Sequence, residues 1–176
     1  MKNINKPKNL KEVMLLQSIL NKKIEEKRDN GFTPARRTRT KILLSIIAEC
    51  IELNEELAEW THKTWKQKDY SEDKVKEELT DILFFIAEYL NYMNRSSKRE
   101  AQEFKWGEME SGYYNVNELT IGIFIDLDKF RGSLGIKRYC SLVKALGYTE
   151  EEIYEEYYRK WQINTTRIAG EWTNLE

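Results

Sequence analysis

Apolar residues recur along most of this chain at spacings of three and four, the pattern of helices that bury one face. Leu10, Val13, Leu20 and Ile24 fall on one side of a first helix over about 10–28, which Asn30-Gly31 would stop. After Pro34 and the basic residues Arg36, Arg37, Arg39 and Lys41, a second stripe runs through Leu43, Ile46, Ile47, Cys50, Leu53, Leu57 and Trp60. It predicts a central helix reaching to about Trp65. Ser71 followed by Glu72 and Asp73 has the chemistry of an N-cap with an acidic first turn, and it opens a third helix through Val75, Leu79, Ile82, Phe85, Ile86 and Tyr89. Ser97 and Glu100 are spaced as a capping box. Residues 101–117, with Gly107, Gly112 and Asn115, break the periodicity and suggest a mobile flap within 98–117. Shorter helices are predicted near 118–131 and 136–146. Thr149 and Glu152, flanked by Tyr148 and Ile153, then mark the start of a last helix by capping box and hydrophobic staple. Two prolines and eight glycines leave these periodic segments long and uninterrupted, so the fold class is all-α, a helical bundle in a single domain over residues 1–176.

Charge narrows the function classes. With 29 basic and 30 acidic residues the net charge is -1, so no overall field draws a nucleic-acid backbone or an anionic membrane, and any anionic ligand has to be held locally. The longest apolar runs, such as Ile42-Leu43-Leu44 and Ile121 to Leu127, are too short to span a bilayer, and no signal-peptide pattern opens the chain, which points to the cytoplasm. Cys50 and Cys140 lack C-x-x-C spacing and suit two reduced, packed thiols. With His62 the one histidine, the composition argues against zinc.

Four acids stand in the wrong place for solvent. At about 100° per residue, Glu49 and Glu52 project at the edge of the second helix's apolar sector, beside Ile42, Leu53 and Trp60. On the third helix Glu78 lies angularly between Phe85 and Tyr89, with Asp81 one step round and Glu77 further out. Carboxylates at a core edge repel one another and lose hydration, so they need protons, basic partners or a cation. Oxygen donors without His or Cys favour Mg²⁺ or Mn²⁺. Each pair alone is a weak signal, since about five [DE]-x-x-[DE] matches arise by chance at this acid content. Glu55, Glu56 and Glu59 read as solubilising or salt-bridged.

Here the sequence resembles the all-α nucleoside triphosphate pyrophosphatases, and within them the dimeric dUTPases of some bacteria, their phages and certain protozoa. The resemblance rests on Glu49-Cys-Ile-Glu52-Leu53, Lys63-Thr-Trp65-Lys66 and Glu78-Leu-Thr-Asp81-Ile82. It implies Glu49, Glu52, Glu78 and Asp81 as Mg²⁺ ligands around a triphosphate, with Glu49 the first choice of base, Glu52 beside it in the catalytic pair, and Lys63 on a phosphate. Leu16-Gln17-x-x-Leu20-Asn21 is similar to the family's base-reading segment. Lys160-x-x-x-Asn164-x-x-Arg167 is similar to its C-terminal substrate-binding segment. Phe84 departs from the family, which often has histidine there. The implied reaction is hydrolysis of dUTP to dUMP and pyrophosphate by a homodimer, and the residues leave open whether dUDP is cleaved as well.

The terminal segments also have readings of their own. Gln17 and Asn21 lie one turn apart in an apolar stripe, where carboxamides must find partners, either in an interhelical amide pair or in a base edge. Lys160, Asn164 and Arg167 share a helix face, either solvated or phosphate-binding. Trp60, Trp65 and Trp161 read as core or interface residues. Two alternatives remain: a MazG-like or dCTP-directed pyrophosphohydrolase, and a non-catalytic helical interaction protein.

Overall fold

The computed structural model describes residues 5–29, 37–65, 68–93, 99, 103–106 and 115–170. Among them are six helices and no strand: α1 (Leu10–Asp29), α2 (Arg39–Glu56), α3 (Glu72–Tyr92), α4 (Val116–Asp128), α5 (Gly132–Ala145) and α6 (Glu150–Gly170). The all-α reading therefore holds. No described helix is long and apolar enough to cross a membrane. Asn30, Gly31, Pro34, Arg36, Lys66, Ser97, Glu100, Gly107 and Gly112, all named above, lie outside the described residues.

α3 is the scaffold. It packs against α1, α2, α5 and α6, and it buries a broad face, from Val75 and Leu79 through Phe84 and Ala87 to Tyr89 and Leu90. The narrower remaining face carries Glu77, Glu78, Asp81 and Glu88. The Ser71 hydroxyl accepts from Lys74 N at its start, as an N-cap should. Cross-helix contacts fix the directions of its neighbours. Arg37 bonds both oxygens of Glu88 at 2.9 Å just ahead of α2, while Glu49 and Glu52 meet Glu78 further on, so α2 is antiparallel to α3. Lys160 reaches Asp81 while Tyr157 stacks on Phe84 at 4.1 Å, so α6 is antiparallel too. α1 runs parallel to α6, because Lys6, Val13 and Leu16 bond Glu151, Tyr157 and Trp161 in that order.

α6 opens as its sequence predicts. Thr149 N donates to Glu152 at 2.8 Å, Glu152 N donates back to the Thr149 hydroxyl at 3.3 Å, and Tyr148 and Ile153 are both buried. Just upstream, Gly147 takes φ 86 as α5 ends, with Gly147 N on the Lys144 carbonyl and Tyr148 N on that of Val143. The second helix departs from expectation. It ends at Glu56, nine residues before Trp65, because Leu57 turns extended into the core and the next turn closes on its carbonyl from Trp60 N and Thr61 N at 2.9 Å. That turn tucks Trp60 against the core and leaves Trp65 80% exposed, so Trp65 is not a core residue, whereas Trp161 is buried and donates to the Leu16 carbonyl at 2.8 Å. Within the segment expected as a flap, Phe104 and Trp106 pack on the core, and the Trp106 indole donates to Tyr154 at 2.9 Å. Residues 115–117 belong to the cap and first turn of α4.

α4 and α5 pack closely through glycine. A Cβ at Gly135 would stand 2.7 Å from Cδ2 of Leu127, a residue with no exposed surface and so no room to yield. Gly135→Ala is expected to cost about 1–3 kcal/mol by overpacking, lowering the melting temperature by about 3–10 °C for a chain of this size. An unchanged thermal scan would contradict this packing.

Candidate active site

α2 and α3 bring their acids together. One oxygen from each of Glu49, Glu52 and Glu78 lies within 4.8 Å of the others. Asp81, one turn along α3 from Glu78, accepts from the Lys160 ammonium, which also lies 3.1 Å from Glu77. Glu49, Glu78 and Asp81 are half-buried. Glu52 is exposed, further out than its angular position on α2 suggests. Burial pushes the Glu49 carboxyl up to about 8, helped by the charges of Asp81, Glu52 and Glu78 and opposed by Lys160. Burial likewise raises Glu78 to about 7, with Asp81 and Glu52 adding to it, and raises Asp81 against the pull of Lys160. Near neutral pH the cluster therefore holds protons it would give up to a cation.

These donors fit a hard divalent ion. All are carboxylate oxygens. The nearest sulfur in sequence, Cys50, is buried among apolar side chains with its thiol pushed up to about 12, so it is no soft ligand. The resident positive charge at the cluster is one ammonium on Asp81 and Glu77, against three further carboxylates.

The polar residues of α1 sit beyond this cluster. Gln17 is buried; its Nε2 donates to Asn21 Oδ1 at 2.9 Å, and its Oε1 accepts from the Tyr157 hydroxyl at 3.0 Å. Tyr157, which bonds Gln17, stacks on Phe84, three residues past Asp81, and lies three residues before Lys160, so its place on α6 is about 4.5 Å along the helix axis from that of Lys160. Asn164 and Arg167 continue the α6 face of Lys160, the first half-buried and the second exposed. Lys63 is elsewhere engaged: its ammonium pairs with Glu55 rather than with any of the four acids, and Lys68 pairs likewise with the buried Glu56. A separate cleft of about 350 Å³, between Lys6–Lys8 and the start of α6 at Thr149–Tyr154, contains none of these residues.

Sequence reasoning missed Tyr157. Its sign was available, a tyrosine three residues before Lys160 on the apolar side of the last helix, but nothing in the spacing said that its hydroxyl would meet α1. Glu77, read as pointing outward, is exposed and still reaches Lys160.

An all-α bundle that carries an oxygen-only acidic cluster, a lysine and a half-buried carboxamide pair has the parts of a nucleotide hydrolase. A family model described as dUTPase matches residues 9–172, nearly the whole chain. The chain belongs to that family, the all-α dUTPases, whose activity is the hydrolysis of dUTP. No curated protein and no solved structure matches the chain.

The raised carboxyls give a stability signature without metal. Glu49 has its ordinary value of 4.5 when unfolded and about 8 when folded, so its contribution is fully present below 4.5 and is lost as pH rises through 8. In chelator, the melting temperature is expected to fall between about pH 5 and pH 8, and Glu49→Gln is expected to flatten that slope. A wild-type melting temperature that rises over this interval, or a variant that keeps the full slope, would contradict the reading.

Proposed function

We propose that the chain cleaves dUTP, and with it dUDP, at the α–β phosphoanhydride, giving dUMP and pyrophosphate from dUTP, with Mg²⁺ or Mn²⁺ held by Glu49, Glu52, Glu78 and Asp81. What carries this reading is the meeting of three carboxylates within 4.8 Å at the edge of the core, with Lys160 held on the neighbouring Asp81. Family membership supplies the nucleotide. When bound, the ion would supply the positive charge that neutralises phosphate oxygens and acidifies water.

The side chains have separable tasks. Glu49, whose carboxyl burial pushes up to about 8, takes the proton of the attacking water as the anhydride opens. Glu52, exposed at the mouth, completes the catalytic pair and the ligand set. Lys160 leaves Asp81 to hold a phosphate oxygen, with Arg167 two turns further along α6. Gln17, Asn21 and Asn164 contact the nucleoside. Lys63, paired with Glu55, would have to leave that partner to reach a phosphate, as Lys160 leaves Asp81. We infer a homodimer as well, from the exposed Leu44 and Ile51 on α2 and Ile121 and Ile125 on the adjoining α4.

A nucleotide panel with Mg²⁺ and pyrophosphate detection tests the activity, with turnover expected for dUTP well above dCTP. Glu49→Gln and Asp81→Asn should each lower kcat by about a hundredfold or more while the helical circular dichroism stays unchanged. Near-normal turnover in either would overturn the metal and base assignments. Mg²⁺ with a non-hydrolysable dUTP analogue should raise the melting temperature, by about 2.7 kcal/mol of stabilisation at a hundredfold excess over Kd. No shift at saturation would favour a non-catalytic role. For the assembly, sedimentation should give a dimer that Leu44→Glu splits into folded monomers. A dimer unaffected by that charge would move the interface elsewhere.

A further inference from the structure

The buried hydroxyl of Tyr157 stands at the head of a chain of hydrogen bonds that ends at Asn21. It lies 3.0 Å from Gln17 Oε1 and 3.4 Å from the Val13 carbonyl, and it has one proton to give. The Val13 carbonyl, inside α1, already accepts from the backbone N–H of residue 17, whereas Gln17 Oε1 has no such helical partner. The proton therefore belongs on Gln17 Oε1. That choice sets everything downstream. With its oxygen accepting from Tyr157, Gln17 presents its NH₂ to Asn21 Oδ1 at 2.9 Å, and Asn21 is left with its own NH₂, which has no partner among the described residues. Asn21 follows Gln17 along α1 in the direction parallel to Tyr157→Lys160 on α6, so this free donor stands on the carboxylate side of the relay.

We propose that Tyr157 is a positioning residue that fixes the polarity of the Gln17–Asn21 pair and thereby selects a pyrimidine with a carbonyl, not an amino group, at C4. The inference rests on the proposed reading of the base by these carboxamides. A donor-presenting Asn21 matches the 4-carbonyl of uracil and opposes the 4-amino group of cytosine. Were the relay reversed, Gln17 donating to Tyr157 and Asn21 donating to Gln17, the outward group would be an oxygen and the preference would invert. The hydroxyl is what separates these two arrangements. The ring itself, stacked on Phe84, serves packing and would survive loss of the hydroxyl.

The test is kcat/KM for dUTP, dCTP and dTTP in the wild type, Tyr157→Phe, Asn21→Ala and Asn21→Asp. Tyr157→Phe keeps the ring and its burial. The dUTP/dCTP ratio is expected to fall roughly tenfold, the weight of one buried neutral hydrogen bond, through KM more than kcat. The dUTP/dTTP ratio should stay put, because thymine shares uracil's 4-carbonyl and the relay cannot tell them apart. Asn21→Asp, which can only accept, should shift preference toward dCTP. If Asn21→Ala erodes the dUTP/dCTP ratio but Tyr157→Phe does not, the carboxamides read the base and the role given to Tyr157 is wrong. If neither Asn21 variant changes that ratio, base reading by this pair fails, and the inference falls with it. Equal losses on all three nucleotides in Tyr157→Phe would make the hydroxyl merely structural and overturn the proposal.

Discussion

Carboxylates crowded at the edge of an apolar core are the constraint on which the rest of this molecule turns. Glu49, Glu52 and Glu78 approach within 4.8 Å, the first and last of them half-buried, and Asp81 avoids the same fate by holding Lys160. Folding alone would not gather like charges in this way. Packing of α2 on α3 enforces it: Ile46, Cys50 and Leu53 on one helix and Leu79, Ile82 and Ile86 on the other are all buried, and burying each such side chain contributes about 1.5–3 kcal/mol. The apolar seam can thus hold an acidic cluster whose repulsion is relieved by protons in one state and by a cation in another.

α3 connects this electrostatic end to the rest of the site. Its Glu78 and Asp81 belong to the cluster, and its Phe84, one turn on, carries the ring of Tyr157. Still further on, Tyr89 donates to the Leu127 carbonyl at 2.5 Å and Asn91 to that of Met14 at 2.8 Å. A single helix therefore sets Glu78, Asp81 with its Lys160 partner, and the Tyr157–Gln17 contact in one register. Around its far end, Arg39 caps the α4 terminus through the Leu127 and Asp128 carbonyls, while Arg131 and Arg138 neutralise the buried Asp126. These basic residues near α4 are thus engaged in holding the fold.

How much of this was readable from sequence depends on which kind of contact decides each feature. Helical period places a residue on a face, so Glu49, Glu78 and Asp81 stood out as acids beside apolar neighbours, and the Ser71, Thr149 and Gly147 signals marked helix ends through local backbone chemistry. Period says nothing about which helix a face will meet. That is why Tyr157 passed unnoticed as the partner of Gln17, and why Glu56, seemingly one more surface acid, proved buried against Lys68. The early stop of α2 has the same origin. Its continuation through Trp60 kept a helical pattern, but burying Leu57 and Trp60 together required a turn that only the surrounding core dictates. Gln17 and Asn21, expected in an interhelical amide pair or on a base edge, bond each other along α1, and only Gln17 reaches across, to Tyr157.

The central claim, that the acidic cluster exchanges protons for a divalent cation, is tested most directly by calorimetric titration of the apoprotein with Mn²⁺ at pH 7 in buffers of differing ionisation heat. With Glu49 at about 8 and Glu78 at about 7, binding should release at least about one proton per chain. The release should shrink as pH approaches 9 and drop sharply in Glu49→Gln. Binding with no proton release at pH 7, or no binding at millimolar Mn²⁺, would contradict the account.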